Sequence, residues 1–136
     1  MSNFQMPQHV IDRVMEKRGR LNVFERFEPE KTALLIVDMQ NFFVDGVQPC
    51  LDVMPNINRL AEVVRRSGGL VVWVVLTVAE TEDGPSLWPV YHDNFFTEAK
   101  MQAHKKGLTR GSPGHAIHAD MDVHDDDVIS EKTRFS

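Results

Sequence analysis

Apolar residues cluster in this chain into two unbroken runs and one short pair, separated by polar stretches. The first run, Ala33 to Val37, holds five apolar residues and stops at Asp38. The second, Leu70-Val-Val-Trp-Val-Val-Leu-Thr77, is rich in β-branched side chains. Short continuous runs of this kind predict strands covered on both faces, as in a parallel sheet. Val128 and Ile129 mark a third strand, with Lys132 at its end. Between the first two runs, Ile57, Leu60, Ala61 and Val64 recur at helical spacing. Pro55 is placed in the first turn of that helix, and Ser67-Gly68-Gly69 ends it. Residues 39–53 read as a loop, containing Gly46 and Pro49. Strand, helix, strand over this span is a βαβ unit with parallel pairing.

The flanking regions are less regular. His9 to Arg18 predicts a short helix ended by Gly19, with Val10, Ile11 and Val14 on one side. Phe24 and Phe27 are expected to tuck against the domain. Residues 1–31 thus form an N-terminal arm, and residues 32–136 part of one domain. Asn94 to Lys105 carries a weak helical stripe of Phe95, Ala99 and Met101, and residues 107–114 are broken by three glycines and Pro113.

Composition narrows the function classes. Apolar residues make up 42% of the 136 and charged residues 26%, which suits a globular domain. The net charge of −5 leaves no basic surplus for a phosphate backbone, so a nucleic-acid partner is not expected. No run approaches the ~18 apolar residues that span a bilayer, so no membrane partner is expected. Residues 1–8 are polar and show no hydrophobic targeting core. With Cys50 as the one cysteine, the expected compartment is a reducing cytoplasm.

The candidate chemistry starts at the strand ends. A carboxylate where a buried strand stops is costly unless paired or solvated. In open α/β sheets ligands bind at the carboxyl ends of the strands. Asp38 ends one strand and Lys132 another. If these strands are neighbours, ~4.8 Å apart, their head groups meet at one sheet edge. Such a pair is useful where a third group must be deprotonated, although self-satisfied ion pairs are as common. Gln40 and Asn41 are candidates for substrate contact, with fixing of the local backbone by their amides as the preferred role. Phe42 follows closely and is a candidate pocket wall. Trp88 and Tyr91, in a long aromatic connection, are candidates for binding substrate or for anchoring the loop. Met39 and Trp73 read as core.

The words Leu35-Ile-Val-Asp38-Met-Gln-Asn41-Phe, Pro55-Asn-Ile-Asn58, Val71-Val-Trp-Val and Glu131-Lys132-Thr-Arg-Phe-Ser136 resemble those of the isochorismatase-like cysteine hydrolases. The resemblance covers about residue 30 to the end. It implies a three-layer, doubly wound (Rossmann-like) α/β fold, incomplete in this chain, with strand order reversing between the aspartate and lysine strands. It implies an Asp-Lys-Cys triad in which Asp38 is general base and acid, and Lys132 favours the thiolate. The implied reaction is hydrolysis of an amide or carbamoyl C–N bond in a small metabolite, by a homo-oligomer without cofactor. The nucleophilic cysteine normally follows the strand after the lysine, and Cys50 has no matching word around it. The sequence therefore reads as an N-terminal portion of such a hydrolase, lacking activity by itself. Vinyl-ether hydrolysis of the isochorismatase type is one alternative. A non-catalytic binding protein on the same fold is another.

Metal readings are weaker. His115, His118, Asp120, His124 and Asp126 are close in sequence, but turn signals surround them. The spacing of Asp120, Asp122, His124 and Asp126 mimics a calcium loop, yet Asp125 stands where a glycine is needed. Residues 45–58 hold no histidine for an Asp-x-His metal word. No metal site is assigned.

Overall fold

The computed structural model describes residues 5–135, so Ser136 and the start of the polar N-terminus lie outside the described residues. Three parallel strands form the sheet: β1 (Ala33–Val37), β2 (Leu70–Leu76) and β3 (Val128–Lys132). They are ordered β1-β2-β3, so β2 is central and both flanking strands are edges among the described residues. Two short helices, α1 (Gln8–Arg18) and α2 (Asn41–Val44), precede the long α3 (Gln48–Arg66); α4 (Pro89–Phe95) and α5 (Glu98–Leu108) follow β2. The α/β class is that expected.

The central placement of β2 corrects the expectation that the aspartate and lysine strands are neighbours. It also removes the expected reversal of strand order between them. Register pairs Val37 with Val74 and Leu76 with Lys132. β1 and β3 are therefore separated by about 9.6 Å, twice the ~4.8 Å strand spacing. The two flanking strands are short, whereas β2 carries the longest apolar run, and the most apolar strand takes the most covered position.

α3 covers one face of the sheet. Its side chains Met54, Ile57, Ala61 and Val64 pack with Leu34, Ile36, Val71 and Trp73. Two local expectations change here. Residues 39–53 are not a loop, because α2 and the start of α3 occupy them. Pro49 supplies the helix-starting proline, whereas Pro55 lies inside α3 on its solvent side. Leu60 turns outward and is half exposed, since the core stripe runs through Ala61 instead. α1 ends at Gly19 in the left-handed conformation, as the sequence suggests, but buries no residue. Phe24 and Phe27 pack on each other, with ring centres 6.5 Å apart, and stay exposed rather than tucking in. Phe27 lines an apolar groove of about 280 Å³ together with Leu60 and Val63.

The opposite sheet face is bare over β1. Leu35 is 60% exposed and Val37 47%, and Leu70 and Val128 on the same face are also exposed. The expected burial on both faces fails for β1, whereas Val72 and Val74 on the same face of β2 are partly covered. A bare apolar face flanked by two unpaired edges is a template for association. The 136-residue chain by itself is therefore expected to self-associate, giving species heavier than a monomer in sedimentation velocity. Leu35→Lys should reduce that association. A monodisperse monomer with a cooperative melt would contradict the expectation.

Candidate active site

The chain leaves β1 through one more ladder bond, from the Asp38 N–H to the Val74 carbonyl at 3.0 Å. It then turns sharply. Asp38 has φ +60°, the one positive φ at a non-glycine residue among the described residues. Aspartate tolerates this region better than most side chains, yet the conformation carries a cost. The turn brings the carboxylate over the end of β2. Its Oδ2 accepts a hydrogen bond from Lys132 Nζ at 3.0 Å. Lysine's long side chain crosses β2 to make that contact, which is how residues on non-adjacent strands still meet. Lys132 also donates to the Phe135 carbonyl at 3.4 Å. Asp38 Oδ1 is buried and has no partner among the described residues. One carboxylate oxygen is thus held by a cation while the other can still accept a proton.

The side chains that follow the aspartate hold this turn. Gln40 is fully buried. Its Nε2 donates to the carbonyls of Leu76 (3.0 Å) and His115 (2.8 Å), and its Oε1 accepts from the Leu76 N–H at 2.7 Å. With these groups engaged and no exposure, Gln40 ties the turn to the backbone of Leu76 and His115. Asn41 Nδ2 donates to the Pro113 carbonyl at 2.8 Å, and its N–H to that of Ala116. Phe42 packs edge-on against His104 and Phe43, with ring centres 5.1 Å away in both cases. A Cβ on Gly107 would collide with the Phe42 ring, which explains a glycine inside α5.

Trp88 and Tyr91 stack with ring centres 4.4 Å apart and planes 16° from parallel. Phe135 meets both edge-on, at 5.3 Å and 4.9 Å. Because Lys132 donates to the Phe135 carbonyl, this aromatic group adjoins the Asp38–Lys132 pair. α4 was not foreseen; Pro89 at its start and Thr97 capping α5 split the expected 94–105 helix in two.

Two groups were not visible in sequence spacing. The fully buried Thr77 hydroxyl contacts His115 Nε2 at 2.8 Å and donates to Glu131 at 3.2 Å. Glu131 is held in turn by Arg110, which also pairs with Glu80 at 2.7 Å. Burial lowers the pKa of His115 beside Thr77. Burial also lowers those of His92, against Ser86, and of His104. The histidines weighed as metal ligands are dispersed: His115 faces Thr77, His118 approaches Asp45, and His124 pairs with Asp122. Cys50 lies in the first turn of α3 and packs on the core. An open groove of about 400 Å³, lined by Glu62, Arg65 and Asp127, lies at the other end of the strands, beside Leu70.

The isochorismatase domain profile matches residues 32–136. The chain belongs to the isochorismatase family. Among solved structures, a cysteine hydrolase from Pseudomonas syringae pv. phaseolicola superposes with a TM-score of 0.58 at 21% identity, over 79% of this chain and 49% of that one. An isochorismatase family protein from Desulfovibrio vulgaris gives 0.55 at 26% identity, over 76% of this chain and 53% of that one. A probable inactive nicotinamidase of Arabidopsis thaliana is 43% identical over 49 residues, 32% of this chain and 25% of that protein. The isochorismatase-family chain thus spans about half the length of these solved relatives and a quarter of the curated one. None of its helices, within the described residues, is long and apolar enough to cross a membrane.

Proposed function

We propose that Asp38 and Lys132 are two members of an Asp-Lys-Cys site that hydrolyses a C–N bond in a small amide or carbamoyl compound, the cysteine lying outside these residues. The observation that carries this reading is the 3.0 Å Lys132–Asp38 contact with Asp38 Oδ1 left unpartnered, at the carboxyl ends of parallel strands. In the proposed cycle Asp38 takes the thiol proton, and the sulfur attacks the carbonyl carbon. The tetrahedral adduct collapses with cleavage of the C–N bond, and Asp38 returns the proton to the departing amine. Water, deprotonated by Asp38, then attacks the thioester and releases the acid. Lys132 keeps positive charge beside both anions. Trp88 and Tyr91, with Phe135, supply a flat aromatic wall suited to a planar amide. Phe42 supports this region through α5. We extend the reading to a cytoplasmic homo-oligomer.

The test is ammonia release by the natural polypeptide that carries this sequence, on nicotinamide and N-carbamoyl amino acids, with intact mass to trap a thioester. Turnover with an acyl adduct is expected. Cleavage of a vinyl ether without an adduct would replace the amidase reading with the isochorismatase-type one. A second reading is a binding protein without turnover. It is favoured by the Arabidopsis relative, itself described as probably inactive. Saturable binding with no product would establish that reading.

A further inference from the structure

We propose that Gln40 is the positioning residue that sets the separation of Asp38 and Lys132, by locking the turn after β1 onto the tip of β2; this rests on the hydrolytic reading of that pair. The two head groups come from strands that do not touch. Their alignment therefore depends on how each end is tied to the strand between them. On one side, Thr77 N–H donates to the Lys132 carbonyl at 2.9 Å, and Leu76 is in register with Lys132. On the other side, Gln40 holds both the N–H and the carbonyl of Leu76. A continuous series of hydrogen bonds then runs from the Asp38 turn through Leu76 and Thr77 to the lysine backbone. The third Gln40 bond, to the His115 carbonyl, ties in the loop whose imidazole contacts Thr77. Met39 adds a further tie, its carbonyl accepting from His118 N–H at 3.0 Å.

A left-handed aspartate persists only where its surroundings over-determine it. Gln40, two residues on and fully buried, ties the following turn to Leu76 and His115. A side chain carrying two donors and an acceptor is required, since it must satisfy two carbonyls and one N–H at once. Methionine matches its length and offers none of these. Glutamate keeps the acceptor and loses both donors. Each change removes the bonds to the Leu76 and His115 carbonyls without touching either head group. Misplacement of reacting groups by about 1 Å is enough to cost ~10²-fold in rate.

The experiment uses Gln40→Met, Gln40→Glu and a control, Val64→Ala, which trims the α3 core away from the tip of β2. Three quantities are read in the natural polypeptide: melting temperature, kcat and KM on whichever small amide is turned over, and the ¹³Cγ shift of Asp38 with the ¹⁵Nζ shift of Lys132. The Gln40 variants are expected to lower kcat by roughly 10²-fold with KM within about twofold, and to move both NMR shifts. Val64→Ala is expected to lower the melting temperature and leave kcat per folded molecule and both shifts in place. Unmoved shifts in the Gln40 variants would overturn the inference, even if turnover confirmed the hydrolase. Moved shifts in a protein without turnover would uphold it while the hydrolytic reading failed. If Gln40→Met does not fold, Gln40→Glu, close in volume, decides by the same shifts.

Discussion

Asp38→Asn is expected to lower kcat/KM by about 10³-fold, roughly 4 kcal/mol of transition-state stabilisation, with little change in stability. The substitution is chosen for the backbone. Asparagine accepts the left-handed conformation at φ +60° about as well as aspartate, whereas alanine there would add strain. The amide can still meet Lys132 through its oxygen, so the turn and the 3.0 Å contact are preserved in outline. What is lost is the ability to take and return a proton. Lys132→Ala removes the positive charge instead, and leaves the part-buried carboxylate with no counter-ion. It is expected to cost about 10²-fold or more, because a fixed cation at a developing anion is worth several kcal/mol in a water-poor site. Steady-state kinetics on the natural polypeptide, with circular dichroism to confirm folding, check both. Unchanged turnover in both variants would remove the pair from the chemistry.

Asp127→Ala is expected to destabilise the fold by about 3 kcal/mol at neutral pH, a larger effect than most single changes. The Asp127 side chain is 2% exposed and holds three donors: the Arg65 guanidinium at 2.6 and 2.8 Å, the Trp73 Nε1–H at 2.8 Å and the His124 N–H at 3.0 Å. Its loss leaves the largely buried Arg65 guanidinium without its main partner and the Trp73 indole N–H without its acceptor. Arg65 and Trp73 hold the carboxyl well below the usual carboxylate range, which fixes the pH dependence. In the unfolded chain the group protonates as pH drops below about 4, while the folded form stays ionised. Its contribution is thus complete above that value and fades as pH falls further. The melting or urea midpoint of the wild type should therefore drop more steeply below pH 4 than that of Asp127→Asn. Parallel pH profiles for the two would argue against the charged pair.

This ion pair also shows why part of the molecule was not legible in the sequence. Asp127 belongs to an acidic run, Asp125-Asp-Asp127, in which the three side chains read alike as solvated. Only the third meets Arg65 and Trp73, because β3 begins at the next residue and fixes its direction. His115 shows the same limit. Spacing groups it with His118 as a metal candidate, whereas the Gln40 and Asn41 bonds to residues 113–116 carry it to Thr77. Pro55 was misplaced for a local reason: one proline can sit inside a helix on its solvent side, and Pro49 already supplied the start.

Hydrophobic runs determined the first two strands, the helix between them and Asp38 at the end of the first, and the Val128-Ile129 pair marked the third strand. These are local properties, set by the period of the side chains and by where an apolar run must stop. The order of the strands is not local. Only the packed sheet puts β2 in the middle, turns Leu35 and Val37 to a bare face, and makes the meeting of Asp38 with Lys132 depend on a left-handed turn and the buried Gln40 clamp. Each of these contacts joins residues far apart in the chain, so their geometry is decided by which surfaces exclude water together rather than by any single segment.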